Sequence, residues 1–190
     1  MLDCTVPRAL RLDITSARPG WFTHSRIILV SLAGGVLGIG GAFVGELQTG
    51  GALLLPFIGA PVIEEAFKPI GLYLSLVRWP RALASRLYRA LLCAGAGIVF
   101  GLSESTVYVY LYAPDHPGWY PWFRFTVPVA LHAVASFTVG LGLDWRVVEW
   151  VNRGTRLPKR TGNFYVAGVL LHAAYNTAAV VLAIFGVFDF

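Results

Sequence analysis

Five long apolar blocks dominate the chain, at about residues 27 to 45, 52 to 77, 88 to 112, 124 to 145 and 164 to 188. A helix that crosses a bilayer needs roughly 20 apolar residues, and each block supplies them. The hydrocarbon core holds no water to satisfy exposed backbone groups, so helices are the structure such blocks adopt there. With 56% hydrophobic and 13% charged residues among 190, the composition falls outside that of water-soluble domains. The sequence therefore predicts an all-α polytopic membrane protein. Its expected form is a bundle of five transmembrane helices in one domain over residues 27–190, behind a cytoplasmic basic arm over residues 1–26. That arm carries Arg8, Arg11, Arg18 and Arg26 and lacks the apolar centre of a cleaved signal peptide.

Basic residues set the expected orientation. Arg78, Arg81, Arg86 and Arg89 crowd the segment after the second block, and Arg146, Arg153, Arg156, Lys159 and Arg160 the segment after the fourth. The segments around Glu46 to Gly51 and Ala113 to Phe123 hold no Lys or Arg. The positive-inside rule then places the N-terminus inside and the C-terminus outside. Trp79, Trp145, Trp150, Phe164 and Tyr165 fall at the inner ends and the PGWYPWF stretch at the outer face, where amphipathic rings favour the headgroup zone. An interfacial helix over residues 117–123 is the alternative for that stretch. Three GxxxG spacings, Gly34 with Gly38, Gly41 with Gly45 and Gly97 with Gly101, suit close helix packing, within the chain or across a dimer. Membrane lipids account for the basic charge, so no nucleic-acid partner is expected. Cys4 and Cys93 both fall toward the cytoplasmic side and indicate no disulfide.

Six Glu, Lys and His residues sit well inside the blocks, away from their ends: Glu64, Glu65 and Lys68 in PVIEEAFKP, Glu104 in VFGLSESTVYVY, His132 in VALHAVASF and His172 in LLHAAYNTA. A charge at mid-bilayer costs about 2.5–3.5 kcal/mol on insertion scales, so such residues cluster around pathways and sites. At about 1.5 Å per residue, Glu64 and Asn176 lie roughly 18 Å, Glu104 roughly 12 Å and His132 roughly 10 Å below their outer helix ends. Those depths allow one polar layer on four helices. Glu64 and Lys68 share a face at i, i+4, whereas Glu65 points about 100° away. Phe100, Glu104 and Tyr108 form one stripe and His172 and Asn176 another. Pro61 and Pro69 bracket the acidic pair and are placed to kink its helix.

Carboxylates, imidazoles and an amide suffice for peptide hydrolysis without a nucleophilic Ser or Cys, because a carboxylate can deprotonate water while His and Asn bind the oxyanion. Glu104, His132 and His172 also form a two-His, one-carboxylate set suited to Zn2+ with an open position, although no HExxH is present. A Glu/His relay in a transporter or proton-conducting protein is the rival reading. Against it, the residues bunch in one layer and no repeat halves are visible.

Taken together and in order, EExxK at Glu64, Glu65 and Lys68, FxxxE at Phe100 and Glu104 with Tyr108, the lone His132, and HxxxN at His172 and Asn176 resemble the signature of PrsW-type intramembrane proteases. These are similar in turn to the CAAX prenyl endopeptidases of the CPBP superfamily. Ser105 stands where that pattern often has Asn. The resemblance implies a multi-pass protein of a bacterial or archaeal cytoplasmic membrane that cleaves a membrane-embedded or membrane-proximal protein. It further implies that Glu64 or Glu65 activates water with help from Glu104, that His172 and Asn176 bind the oxyanion, and that His132 completes the cluster. Of the adjacent pair, Glu64 is assigned water activation with Lys68 holding it ionised, and Glu65 a supporting hydrogen bond to a neighbouring helix. Zinc-dependent and metal-independent glutamate mechanisms both stay open at this point.

Overall fold

The computed structural model describes residues 20–48, 55–112, 114–116 and 118–185, which are helical apart from short turns. Helix α1 spans Trp21–Gln48. A π-helical turn at Leu55–Gly59 leads into α2, Ala60–Phe67, which is followed by α3, Ile70–Arg78. Helix α4, Arg86–Val107, runs on into a π-helical turn at Tyr108–Tyr112. Helices α5, Trp119–Gly142, α6, Trp145–Arg153, and α7, Lys159–Ile184, complete the order. Among the described residues, four stretches are long and apolar enough to cross a bilayer: Trp21–Val44, Arg86–Tyr112, Trp119–Gly142 and Lys159–Ile184.

The second apolar block corrects the expectation of five continuous spans. It forms α2 and α3, which meet at Lys68 and Pro69, and neither is long enough to cross alone. Proline is the cause: Pro69 has no N–H to return to the Glu65 carbonyl, and its ring crowds that carbonyl. Its backbone, at φ −83° and ψ 17°, leaves the helical region and lets the chain restart at Ile70. Pro61 is tolerated because it lies in the first turn of α2, where no N–H is required.

Other boundaries also moved. Helix α1 begins at Trp21 and so absorbs Arg26 from the expected arm; residues 1–19, with Cys4, Arg8, Arg11 and Arg18, lie outside the described residues. Trp119 to Phe123 form the first turn of α5 and not a separate interfacial helix, and residue 117 lies outside the described residues. Arg146 and Arg153 belong to α6, a short amphipathic helix. Asp144 caps it by accepting from the Arg146 N–H at 2.9 Å, and Gly154 ends it at φ 61°, a left-handed conformation that glycine adopts without strain.

Small residues let the helices touch. A Cβ at Gly71 would run into the Val30 carbonyl oxygen of α1, one at Gly34 would meet the Gly71 backbone, and one at Gly35 the Ala96 carbonyl oxygen of α4. Gly97 and Gly101 are packed the same way against His132 of α5. The GxxxG faces described here therefore pack within the chain. An apolar core of Ile27, Leu72, Leu76, Cys93, Val139 and Leu143 fills one end of the bundle. There the buried Arg89 guanidinium donates to the carbonyls of Leu143 at 2.6 Å, Ala84 at 2.9 Å and Leu83, so its charge needs no carboxylate. Leu29, Leu37, Leu74, Val77, Leu170 and Ile184 are all more than half exposed, which suits a surface solvated by lipid.

Gly71→Ala is expected to cost about 1–3 kcal/mol through overpacking against α1, read as a lower melting point in detergent. Gly40→Ala, whose Cβ meets nothing within 4 Å, should leave the melting point unchanged or slightly raised.

Candidate active site

The break between α2 and α3 positions the polar cluster. Lys68 caps α2, its N–H bonded to the Glu64 carbonyl oxygen at 2.9 Å. Its side chain, fully buried, runs back among the two glutamates that precede it. Lys68 Nζ lies 2.6 Å from Glu65 Oε1 and 3.1 Å from Glu64 Oε2. It also donates to His132 Nδ1 of α5 at 2.8 Å and sits over the Phe100 ring of α4, 4.6 Å from its centroid. The ammonium thus pairs with both glutamates, and more closely with Glu65, where sequence spacing assigned it to Glu64.

Each imidazole is oriented by a carboxylate. Glu65 Oε1 accepts from His172 Nδ1 at 3.0 Å, and Glu104 Oε2 accepts from His132 Nε2 at 3.0 Å. A carboxylate only accepts, so these bonds assign the ring protons to His172 Nδ1 and His132 Nε2. The lone-pair nitrogens are then His172 Nε2 and His132 Nδ1, which lie 3.8 Å and 3.9 Å from Glu64 Oε2. The two rings stand nearly perpendicular, with centroids 4.9 Å apart.

Glu64 Oε2 is buried and, among the described residues, receives no aligned hydrogen bond; Lys68 lies within ion-pair distance but off the required angle. Buried acceptors are normally satisfied, so one without an aligned hydrogen bond is open to a further ligand. Glu64, His132 and His172 offer one ligand atom each, all within 4.8 Å of one another. This donor set could hold a divalent ion; it shares His132 and His172 with the expected zinc set and has Glu64 where that set has Glu104. Glu104 instead stands behind His132, in the position of a carboxylate that orients a metal-binding imidazole.

The remaining expected residues fall around this centre. Glu65, with no exposure, also accepts from Ser136 Oγ of α5 at 3.3 Å, the bond to a neighbouring helix that was expected of it. Asn176 and Tyr108 line the same cavity as Glu64, Glu104, His132 and His172, a space of about 1040 Å³ walled by parts of α1, α2, α4, α5 and α7. Three contributors escape sequence reasoning. Arg124 of α5 pairs with Glu104 Oε2 at 3.2 Å, yet it stands at the very edge of its apolar block and reads as a boundary residue. Ser105, noted only as a departure from a pattern, donates to the Arg124 carbonyl oxygen at 2.7 Å. Tyr165 donates to the Val62 carbonyl oxygen at 2.6 Å, fastening α7 to α2.

Four helices of membrane-spanning length around a buried carboxylate–imidazole cluster define a multi-pass membrane protein with a group consistent with a catalytic site. The family profile for PrsW family intramembrane metalloproteases matches residues 20–189. The chain belongs to that family, which decides for the peptidase over the transporter reading. No curated protein and no solved structure matches it.

Glu65→Gln removes a buried partner from Lys68 and from His172, and breaking a buried ion pair typically costs about 3–5 kcal/mol. A large drop in melting point is expected. Glu64→Gln loses a longer and poorly aligned pairing with Lys68, at 3.1 Å, so its melting point should fall less than that of Glu65→Gln.

Proposed function

We propose that the chain is an intramembrane endopeptidase whose hydrolytic centre is the Glu64, His132 and His172 group at the wall of the cavity. The observation that carries this reading is the orphaned Glu64 Oε2 facing two lone-pair nitrogens. Those three residues would hold a divalent ion. When bound, it supplies Lewis acidity toward the scissile carbonyl oxygen. Water attacks the carbonyl carbon, and its proton passes to Glu104, the remaining carboxylate that lines the cavity. Glu65 is fully enclosed by Lys68, His172 and Ser136 and stays structural. Asn176, on the cavity wall one turn beyond His172, offers its amide N–H to the developing oxyanion. Glu104 then returns the proton to the amine nitrogen as the peptide bond breaks. The substrate class is a membrane-embedded or membrane-proximal protein, held by a cavity whose walls are mostly apolar and aromatic.

A specific contact favours a second reading. Lys68 Nζ stands 2.8 Å from His132 Nδ1, so a cation already lies among the donors. Without a metal, Glu64 Oε2 itself takes the proton of water and Lys68 keeps that carboxylate ionised. Metal content separates the two. About one equivalent of zinc should copurify, and chelation should abolish cleavage of a single-span reporter peptide until zinc is restored. Full activity of metal-free protein would instead establish the second reading. In both, Glu64→Gln should reduce turnover by several orders of magnitude with folding intact, and retained cleavage would overturn the site assignment.

We further propose five crossings, with α2 and α3 together making the second, and an N-in, C-out topology from the arginine asymmetry. In a cysteine-free background, a single cysteine at Gly118 should react with an impermeant thiol reagent from outside and one at Arg156 should not. The reverse pattern would overturn the topology.

A further inference from the structure

The hydrolytic reading leaves one charged residue on the cavity wall without a task. Arg124 opens the cavity side of α5, and its side chain is 13% exposed. Three ties hold it. Its NH2 donates to Glu104 Oε2 at 3.2 Å, the same oxygen that accepts from His132 Nε2 at 3.0 Å. Its guanidinium carbon lies over the ring of Tyr108, 3.9 Å from the centroid, on the π-helical turn that ends α4. Its backbone carbonyl accepts from Ser105 Oγ at 2.7 Å. The third tie has a covalent cause: residue 128, four positions on, is proline, so α5 supplies no N–H to the Arg124 carbonyl. Ser105 satisfies that carbonyl from α4 and so fixes Arg124 opposite Glu104, which is on the same helix as Ser105.

We propose that Arg124 is a positioning residue that holds Glu104 against His132 Nε2 and thereby fixes the ring so that Nδ1, which accepts from Lys68 Nζ, stays 3.9 Å from Glu64 Oε2. The inference rests on the hydrolytic reading above. Glu104 needs such a clamp because its side chain is 24% exposed at the cavity, and a glutamate there has rotamers that swing away from His132. Glu65, its counterpart at His172, is held instead by Lys68 and Ser136 and has no exposure. The two imidazoles are thus oriented by two carboxylates, each braced by a cation and, directly or through the backbone, by a serine. Loss of such outer partners typically costs about 10–100-fold in metal affinity or activity.

The test uses the full chain in detergent with Arg124→Met and Arg124→Lys. Arg124→Met should lower kcat on a reporter peptide by about 10–100-fold while KM stays within about twofold. Arg124→Lys should recover part of kcat, because an ammonium can pair with Glu104 but cannot stack its charge on Tyr108 as the planar fork does. Nitrogen-15 and proton spectra of metal-free protein should show the His132 Nε2–H shifted downfield by its carboxylate partner in the parent chain and moved upfield in Arg124→Met, with Nδ1 held unprotonated by Lys68 in both. A folded Arg124→Met with an unchanged His132 Nε2–H signal overturns the proposal, whatever its kcat. So does an effect confined to KM, which would place Arg124 on the substrate, or a lowered melting point with the Nε2–H signal intact. Glu64→Gln serves as the control: if it stays active, the hydrolytic reading fails, while the nitrogen-15 readout still decides the role of Arg124.

Discussion

The Lys68 ammonium, enclosed without solvent contact, is the interaction on which the rest of the site depends. Removing a charge from water in a low-dielectric interior costs several kcal/mol, repaid only when the geometry supplies close partners. Lys68 finds them in Glu65 at 2.6 Å, Glu64 at 3.1 Å, His132 at 2.8 Å and the face of Phe100. Those partners come from α2, α4 and α5, and Glu65 carries the network on to His172 of α7. A single buried cation therefore dictates how four elements approach one another. The glycines at positions 97 and 101 make that approach possible, since a methyl group there would strike His132 or its backbone.

Within that frame the two histidines are not equivalent to a relay. Each has a carboxylate on one ring nitrogen, and each turns the other nitrogen toward Glu64 Oε2. Orientation of this kind concentrates acceptor atoms at one point, which is the requirement of a metal centre or of a poised water and not of proton conduction across a membrane. The adjoining cavity reaches the same point from the side of α1, α4 and α7. Its walls are mostly apolar and aromatic, and a substrate that displaces water from such a space strengthens every charge interaction inside.

Much of this was legible in the chain. Charged residues inside apolar blocks announce themselves, and EExxK, FxxxE and HxxxN fix their order and depth. Pro69 marked the break in the second block, although spacing alone left open whether the helix bends or ends. That Glu64 comes within reach of both histidines was not legible, because helical spacing gives each residue a face and a depth but not the rotation of one helix against three others. The ring tautomers, which decide which carboxylate meets the lone pairs, depend on that rotation. Arg124 was missed for a different reason: a positive charge at the end of an apolar block is read as a boundary, and its partner Glu104 lies 20 residues away on another helix. Nor does sequence reveal that Ser105 replaces the hydrogen bond that Pro128 removes, since that requires knowing that α4 and α5 run side by side.

The most direct test of the account is the location of the ion itself. Crystals of the full chain in a lipid phase, grown with zinc and measured across the zinc absorption edge, should show one anomalous peak at bonding distance, about 2.0–2.2 Å, from Glu64 Oε2, His132 Nδ1 and His172 Nε2. The Lys68 ammonium should be displaced from His132 in that structure. A peak elsewhere in the chain, or none at this site with Lys68 still bonded to His132, would contradict the account.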